Sequence, residues 1–95
     1  MTIQDIQIKI TPILKNYGVK RAAVFGSVAR GKDTENSDID LMLELNEPLG
    51  LFKFAKLNYL LEDALEKKVD LVKIGALKPA FKNTILKDAR YIYGE

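Results

Sequence analysis

The sequence has 95 residues and a formal net charge of +2, from 15 Lys and Arg against 13 Asp and Glu. Cys and His are both absent, which excludes disulfides, a thiolate nucleophile, an imidazole base and any metal site built from thiolate or imidazole ligands. The carboxylates that remain favour hard cations such as magnesium. Because the basic surplus is small and scattered, we do not expect nucleic acid as a direct partner.

The length predicts a single domain spanning residues 1–95. No apolar stretch approaches the ~20 residues that a membrane-spanning helix needs, and the N-terminus lacks the pattern of a signal peptide. We therefore expect a cytoplasmic protein without a membrane partner.

The first predicted element is an N-terminal helix that ends at Gly18, with Thr2 and Asp5 at its start in the pattern of an N-cap. Pro12 lies inside this helix and predicts a kink, because an interior proline removes a backbone hydrogen bond. The alternative is that Thr11-Pro12 caps a second short helix, and we favour one kinked helix. The helix is indicated by apolar residues at helical spacing, which are Ile3, Ile6, Ile10, Ile13, Leu14 and Tyr17.

A short buried strand is predicted over residues 21–25, followed by a helical turn over 27–30 and a polar loop over 31–37. Residues 38–45 then alternate strictly, which predicts a second strand. The alternation places Ile39, Leu41, Leu43 and Leu45 on one face, and Asp38, Asp40, Met42 and Glu44 on the other.

The second half of the chain continues the alternation of helices and strands. A turn around Pro48 precedes an amphipathic helix over 51–67, a strand over 68–74 and a last helix that begins near Pro79. The core positions predicted for the two helices are Phe54, Leu57, Leu61, Ala64 and Leu65, and then Phe81, Ile85, Leu86, Ala89 and Ile92. The order α-β-α-β-α-β-α predicts a small α/β fold.

Two carboxylates lie on the same face of the second predicted strand. Asp38 and Asp40 are two residues apart, so their Cα atoms are separated by ~6.6 Å and their side chains point the same way. Asp70, between Val69 and Leu71 on the next strand, is the natural third carboxylate. Alone, each pattern is more typical of a solvated strand end or a surface residue. Together they predict a shared site for magnesium, and two such ions can hold both oxygens of an in-line displacement at phosphorus.

The pair Gly26-Ser27 follows the first strand and opens a helical turn. Such a turn directs backbone N–H groups and the serine hydroxyl toward an anion. A lone Gly-Ser is more often only a tight turn, but its position ahead of the paired aspartates makes a phosphate cradle the better interpretation.

The segments GSVARG, SDIDL and VDLV, in this order, resemble the nucleotidyltransferase (DNA polymerase beta-like) superfamily. The closest likeness is to its minimal members, which are stand-alone domains of similar length. The resemblance covers nearly the whole chain and implies a small mixed β-sheet flanked by helices.

The resemblance also implies roles for individual residues. Gly26 and Ser27 would hold the triphosphate of a nucleotide. Asp38 and Asp40 would ligate two magnesium ions, and Asp70 would complete the metal site and act as base toward an acceptor hydroxyl.

For Arg30 the resemblance leaves two roles open, a contact with phosphate or a salt bridge that orients the loop. Minimal members are typically paired with an all-helical HEPN protein, a ribonuclease toxin, and transfer AMP from ATP to one of its tyrosines. The implied function is therefore a magnesium-dependent protein adenylyltransferase that acts as an antitoxin. An antitoxin that only masks the toxin, and a nucleotidyltransferase acting on small molecules, are the alternatives.

Overall fold

The computed structural model describes residues 1–32 and 37–94, so most of the predicted loop over 31–37 lies outside the described residues. Helix α1 (Ile3–Asn16) begins with a capping box. The Asp5 N–H donates to the Thr2 hydroxyl at 3.1 Å, and the Thr2 N–H donates to the Asp5 carboxylate at 3.0 Å. The predicted cap is confirmed. The chain stays helical through Pro12 as one element, whereas the predicted kink stays a prediction.

The strands form one mixed sheet in the order β3-β2-β1-β4. Strand β1 is antiparallel to both of its neighbours, and β2 and β3 are parallel. The strands are β1 (Val19–Phe25), β2 (Ile39–Leu45), β3 (Val69–Lys73) and β4 (Arg90–Tyr93). This arrangement is the small mixed sheet that the resemblance implied.

The remaining helices are α2 (Gly26–Ala29), α3 (Leu51–Leu65) and α4 (Pro79–Asp88), with a 3-10 turn at Ile74–Ala76. Helices α1 and α3 pack together and cover one face of the sheet, which we call the core face. Its buried side chains include Val24, Ile39, Leu41 and Leu43 from the sheet, and Ile6, Ile10, Leu14, Leu57, Leu61 and Leu65 from the helices. The predicted helical positions Phe54 and Ala64 are partly buried against this core.

The opposite face of the sheet, which we call the site face, carries Ala23, Asp40, Met42 and Asp70. Ala23 and Met42 are cross-strand partners and are both buried, but they do not join the main core. Helix α4 lies on this side, in contact with α2 and β1. The strict alternation predicted for residues 38–45 is thus confirmed from Ile39 to Leu43, with apolar side chains on the core face.

The predicted extent of the last helix is wrong. Helix α4 ends at Asp88, Ala89 is extended with ψ 135°, and residues 90–93 form β4 along the open edge of β1. Ile92 is nevertheless a core residue, at 3% exposure, because the alternation in RYIY turns it toward the core face. The Gln7 side-chain amide donates to the Ile92 carbonyl at 2.9 Å and ties the new strand to α1.

Helix α4 differs from α1 and α3 in that none of its ten residues is buried. The prediction of Phe81 and Leu86 as core positions is wrong, because their side chains are 63% and 39% exposed. No helix among the described residues is long and apolar enough to cross a membrane.

Candidate active site

The three predicted carboxylates lie at the start of β2 and β3. Asp40 and Asp70 are register partners on these parallel strands, so their side chains leave the same face of the sheet about 4.8 Å apart at the backbone. Asp38 lies two residues before Asp40, immediately ahead of β2. The Ile39 N–H donates to the Lys68 carbonyl at 2.9 Å and fixes this end of the pairing. The neighbourhood predicted from VDLV and SDID is therefore present.

The charges of these carboxylates oppose one another. Burial raises the pKa of Asp40, the negative charges of Asp70 and Asp38 raise it further, and the positive charge of Arg30 acts in the opposite direction. Asp38 and Asp70 are exposed and Asp40 is half-buried. A cation bound between these groups would relieve their repulsion.

Gly26 places the Gly-Ser turn directly against Asp40. Phe25, the preceding residue, pairs with Asp40 across β1 and β2. Gly26 has φ +73°, and a Cβ atom at this position would overlap Oδ2 of Asp40. Glycine is therefore required twice, by its backbone conformation and by the close approach of the carboxylate.

The turn then becomes α2, where the Arg30 N–H donates to the Gly26 carbonyl at 3.1 Å. Just beyond the helix, the Lys32 N–H donates to the Ser27 carbonyl at 2.8 Å. The first N–H groups of any helix have no acceptor within the helix. Gly26 and Ser27, the first two residues of α2, are half-buried, and Gly26 lies against Asp40, where the sequence predicts a phosphate. The role of Gly26 and Ser27 in binding it stays a prediction.

Arg30, the residue that caps the C-terminus of α2, forms a salt bridge to Asp88 at the end of α4, with Nη1 3.0 Å from Oδ2. Arg30 thus makes a salt bridge, but the two predicted roles, orientation of the loop and contact with phosphate, both stay predictions. The sequence does not predict a role for Asp88, because Arg30 is 58 residues away and no spacing pattern connects the two residues.

The donor set suits magnesium. Among residues 1–32 and 37–94 no three acidic side chains lie close enough together to hold a metal by themselves. Magnesium, however, usually binds through one or two carboxylates and completes its shell with substrate phosphates and water. The adjacent Asp40 and Asp70, with Asp38 beside them, fit that requirement, and the ligand roles of these residues stay a prediction.

The family of the chain follows from this fold and site together with the sequence comparisons. The family model described as Polymerase beta, Nucleotidyltransferase matches residues 8–95. The chain belongs to this nucleotidyltransferase family, as the resemblance predicted.

Two relatives match over nearly their whole length. A Methanocaldococcus jannaschii protein, provisionally named a protein adenylyltransferase, is 44% identical over 89 residues, which is 94% of this chain and 96% of its own. The protein adenylyltransferase MntA of Thermococcus cleftensis is 33% identical over 96 residues, covering 97% of both chains. The chain is accordingly an enzyme of the nucleotidyltransferase class.

Solved structures show the same fold. A protein provisionally named a minimal nucleotidyltransferase superposes with a TM-score of 0.82 and 32% identity, over 95% of both chains. A toxin–antitoxin crystallised with AMP-PNP has a TM-score of 0.83, 24% identity and coverage of 94% of this chain and 73% of its own. The complex of tri-AMPylated Shewanella oneidensis HEPN toxin with its MNT antitoxin has a TM-score of 0.77, 21% identity and coverage of 97% and 72%.

Proposed function

We propose that this enzyme transfers AMP from ATP, with Mg²⁺, to a tyrosine hydroxyl of a HEPN-type ribonuclease toxin and so acts as its antitoxin. The observation that carries the proposal is the contact of the Gly26 turn with Asp40, whose register partner is Asp70. Because of this contact, the Gly-Ser turn, of a kind that can bind phosphate, lies beside the carboxylates of Asp40 and Asp70. Both relatives are named protein adenylyltransferases, which supports a protein as the acceptor of AMP.

In this proposal the chain's own residues have distinct tasks. Gly26 and Ser27 hold the triphosphate, and Asp38, Asp40 and Asp70 hold the magnesium ions. When bound, magnesium neutralises phosphate charge and supports in-line displacement at phosphorus. Asp70, which is exposed, accepts the proton of the incoming hydroxyl.

The proposed reaction balances without a further reactant. The tyrosine oxygen forms a bond to the α-phosphorus of ATP, and the bond from that phosphorus to the oxygen bridging to the β-phosphate breaks. Diphosphate leaves, and the tyrosine proton passes to the Asp70 carboxylate and then to solvent. No oxidant or reductant is needed.

The acceptor protein must approach the exposed side of this site. Leu86, near the end of α4, and Tyr91 on β4 are 39% and 50% exposed, and Asp88 at that end of α4 contacts Arg30. Tyr91 pairs with Ala23, two residues before Phe25, and Phe25 is the partner of Asp40. Phe81 and Phe52 are also exposed, but they lie toward the opposite end of β2, since Lys82, next to Phe81, lines a cavity with Glu44, Leu45 and Pro48. We therefore assign acceptor contact to the surface formed by Leu86 and Tyr91, because it adjoins the site.

The test uses a purified HEPN-type toxin, ATP and Mg²⁺, with the intact mass of the toxin as readout. We expect the toxin to gain one or more AMP units with the wild-type enzyme and none with Asp38→Ala. An Asp38→Ala variant that still neutralises the toxin would contradict catalysis and favour masking. A toxin of unchanged mass in a stable complex with the wild-type enzyme would do the same.

Two aromatic substitutions separate acceptor binding from chemistry. Tyr91→Ala should slow modification of the toxin, whereas the matched variant Phe52→Ala should not. Both residues are exposed, so neither change should unfold the protein. Equal rates for the two variants would contradict the assignment of acceptor contact to the surface that carries Tyr91.

A further inference from the structure

Asp88 does not belong to the Gly-Ser or Asp-x-Asp motif, but its side chain contacts Arg30 at the edge of the site. Asp88 accepts a hydrogen bond from Nη1 of Arg30 at 3.0 Å, in an ion pair whose side chains are 49% (Arg30) and 36% (Asp88) exposed. Arg30 is near enough to Asp40 for its charge to oppose the rise in the pKa of that carboxyl. The pair therefore joins the end of α4 to the edge of the site.

The sheet fixes the backbone just beyond Asp88. Arg90, two residues further on, pairs with Val24 of β1, and Val24 lies two residues before Gly26. Asp88 is thus held beside the Gly-Ser turn by the β1–β4 pairing.

We propose that Asp88 is a positioning residue, which holds the Arg30 guanidinium at the edge of the site so that its other N–H groups can meet the phosphates of the nucleotide. Arginine carries five N–H donors in a planar fork, and a bond from Nη1 to Asp88 leaves the others for phosphate oxygens. This inference rests on the proposed function, because it assumes that a nucleoside triphosphate binds at the Gly-Ser turn.

The ion pair is a weak source of stability, which makes the proposal testable. Exposed ion pairs of this kind contribute little to folding. A role in folding alone would leave ATP binding unchanged, whereas a positioning role appears in the dissociation constant for ATP and depends on Arg30.

The experiment is a double-mutant cycle on the dissociation constant for ATP with Mg²⁺, measured by calorimetry on the full chain. Arg30→Gln should weaken binding about tenfold or more, as expected for loss of charge-assisted hydrogen bonds. Asp88→Asn should weaken it about two- to fivefold, the range of an exposed ion pair, and Asp88→Glu should restore part of the loss. In the Arg30→Gln background, Asp88→Asn should have no effect.

The matched control is Glu44→Gln, which breaks another ion pair on the site face. Glu44 lies 2.8 Å from Nε of Arg21, with side chains 33% and 34% exposed, but it lies at the far end of β2 from Asp40. This variant should bind ATP as the wild type does. Urea unfolding of each variant checks that the fold is kept.

Unchanged or tighter ATP binding by Asp88→Asn would overturn the proposal, and tighter binding would mean that Asp88 withholds Arg30 from the phosphate. An equal effect of Asp88→Asn in the Arg30→Gln background would also overturn it. A wild-type enzyme that binds no ATP would overturn the proposed function itself, and would be recognised before any variant is made.

Discussion

The two faces of the sheet divide stability and chemistry between them. On the core face, α1 and α3 bury a continuous set of aliphatic side chains at or near 0% exposure. On the site face, Asp38 and Asp70 are exposed, Asp40 is half-buried, and α4 has no buried residue. A chain of 95 residues thus keeps its core on one side and leaves its reactive groups open on the other.

The apolar core face explains why the carboxylates can lie close together. Their mutual repulsion costs free energy, which the apolar burial on the core face offsets. The two faces should therefore respond in opposite ways to substitution. Changes on the core face should reduce stability and spare the chemistry, whereas changes on the site face should do the reverse.

The largest effect is expected from Asp40→Asn. Loss of a metal-binding carboxylate removes several kcal/mol of transition-state stabilisation, so the rate of AMP transfer should fall about 10³-fold or more. The melting temperature should stay the same or rise, because the variant removes a charge that the fold disfavours. Calorimetry and intact-mass kinetics on the same preparation test both parts. A variant that unfolds at a clearly lower temperature would break the division between the faces.

The next largest effect is expected from Leu61→Ala on the core face. Leu61 is fully buried, and such truncations cost about 2–5 kcal/mol of unfolding free energy. The rate of AMP transfer per folded molecule should be unchanged, since α3 lies on the other side of the sheet from Asp40. Urea unfolding measures the first quantity, and transfer assays well below the midpoint measure the second. A large loss of rate in the folded variant would contradict the separation.

Gly26→Ala should affect both quantities, because this residue joins the strand to the site. The positive φ costs about 1–2 kcal/mol for a residue with a Cβ. The added methyl group displaces the Asp40 carboxylate, and a shift of about 1 Å can cost about 10²-fold in rate. Gly50→Ala is a suitable control, because a Cβ there meets nothing within 4 Å. Wild-type kinetics for Gly26→Ala would show that the close approach has no role.

The smallest effect concerns pH. The folded pKa of Asp40 is raised above the ordinary value of 3.8, so its contribution to stability is full below that value and is lost as the pH rises through the folded pKa. The stability of Asp40→Asn relative to the wild type should therefore increase as the pH rises through the range just above 3.8. Unfolding curves between acid and neutral pH measure this difference.

For Asp5 we expect the opposite dependence of stability on pH. Hydrogen bonds from the Thr2 backbone and side chain lower the pKa of Asp5 below 3.8, so its contribution is present above 3.8 and is lost as the pH falls through the folded pKa. Asp5→Asn should thus lose stability at neutral pH and match the wild type in strong acid. Parallel curves for Asp40→Asn and Asp5→Asn would contradict at least one of the two pKa assignments.

Much of this arrangement could be predicted from the sequence, because its signals are local. The period-2 pattern of β2 and the 3.6-residue pattern of α3 each identify their own buried face. The strand VDLV, read next to SDIDL, was enough to predict that Asp70 would neighbour Asp40.

The features that the sequence did not predict depend on contacts between segments that are far apart along the chain. The four residues of β4 continue the apolar spacing of α4, and only the open edge of β1 makes them a strand. Likewise, the overlap that excludes a Cβ at Gly26 follows from the pairing of Phe25 with Asp40, and the partner of Arg30 follows from the position of β4. None of these leaves a pattern in neighbouring residues.

Nucleotidyl transfer at the site face is tested by following which phosphate of ATP reaches the acceptor. The enzyme would be incubated with a HEPN-type toxin, Mg²⁺, and ATP labelled at either the α- or the γ-phosphate. We expect the α label to be transferred to the toxin, the γ label to leave as diphosphate, and Asp40→Asn to transfer neither. Transfer of the γ label, or transfer of the α label by Asp40→Asn at the wild-type rate, would contradict nucleotidyl transfer at the site face.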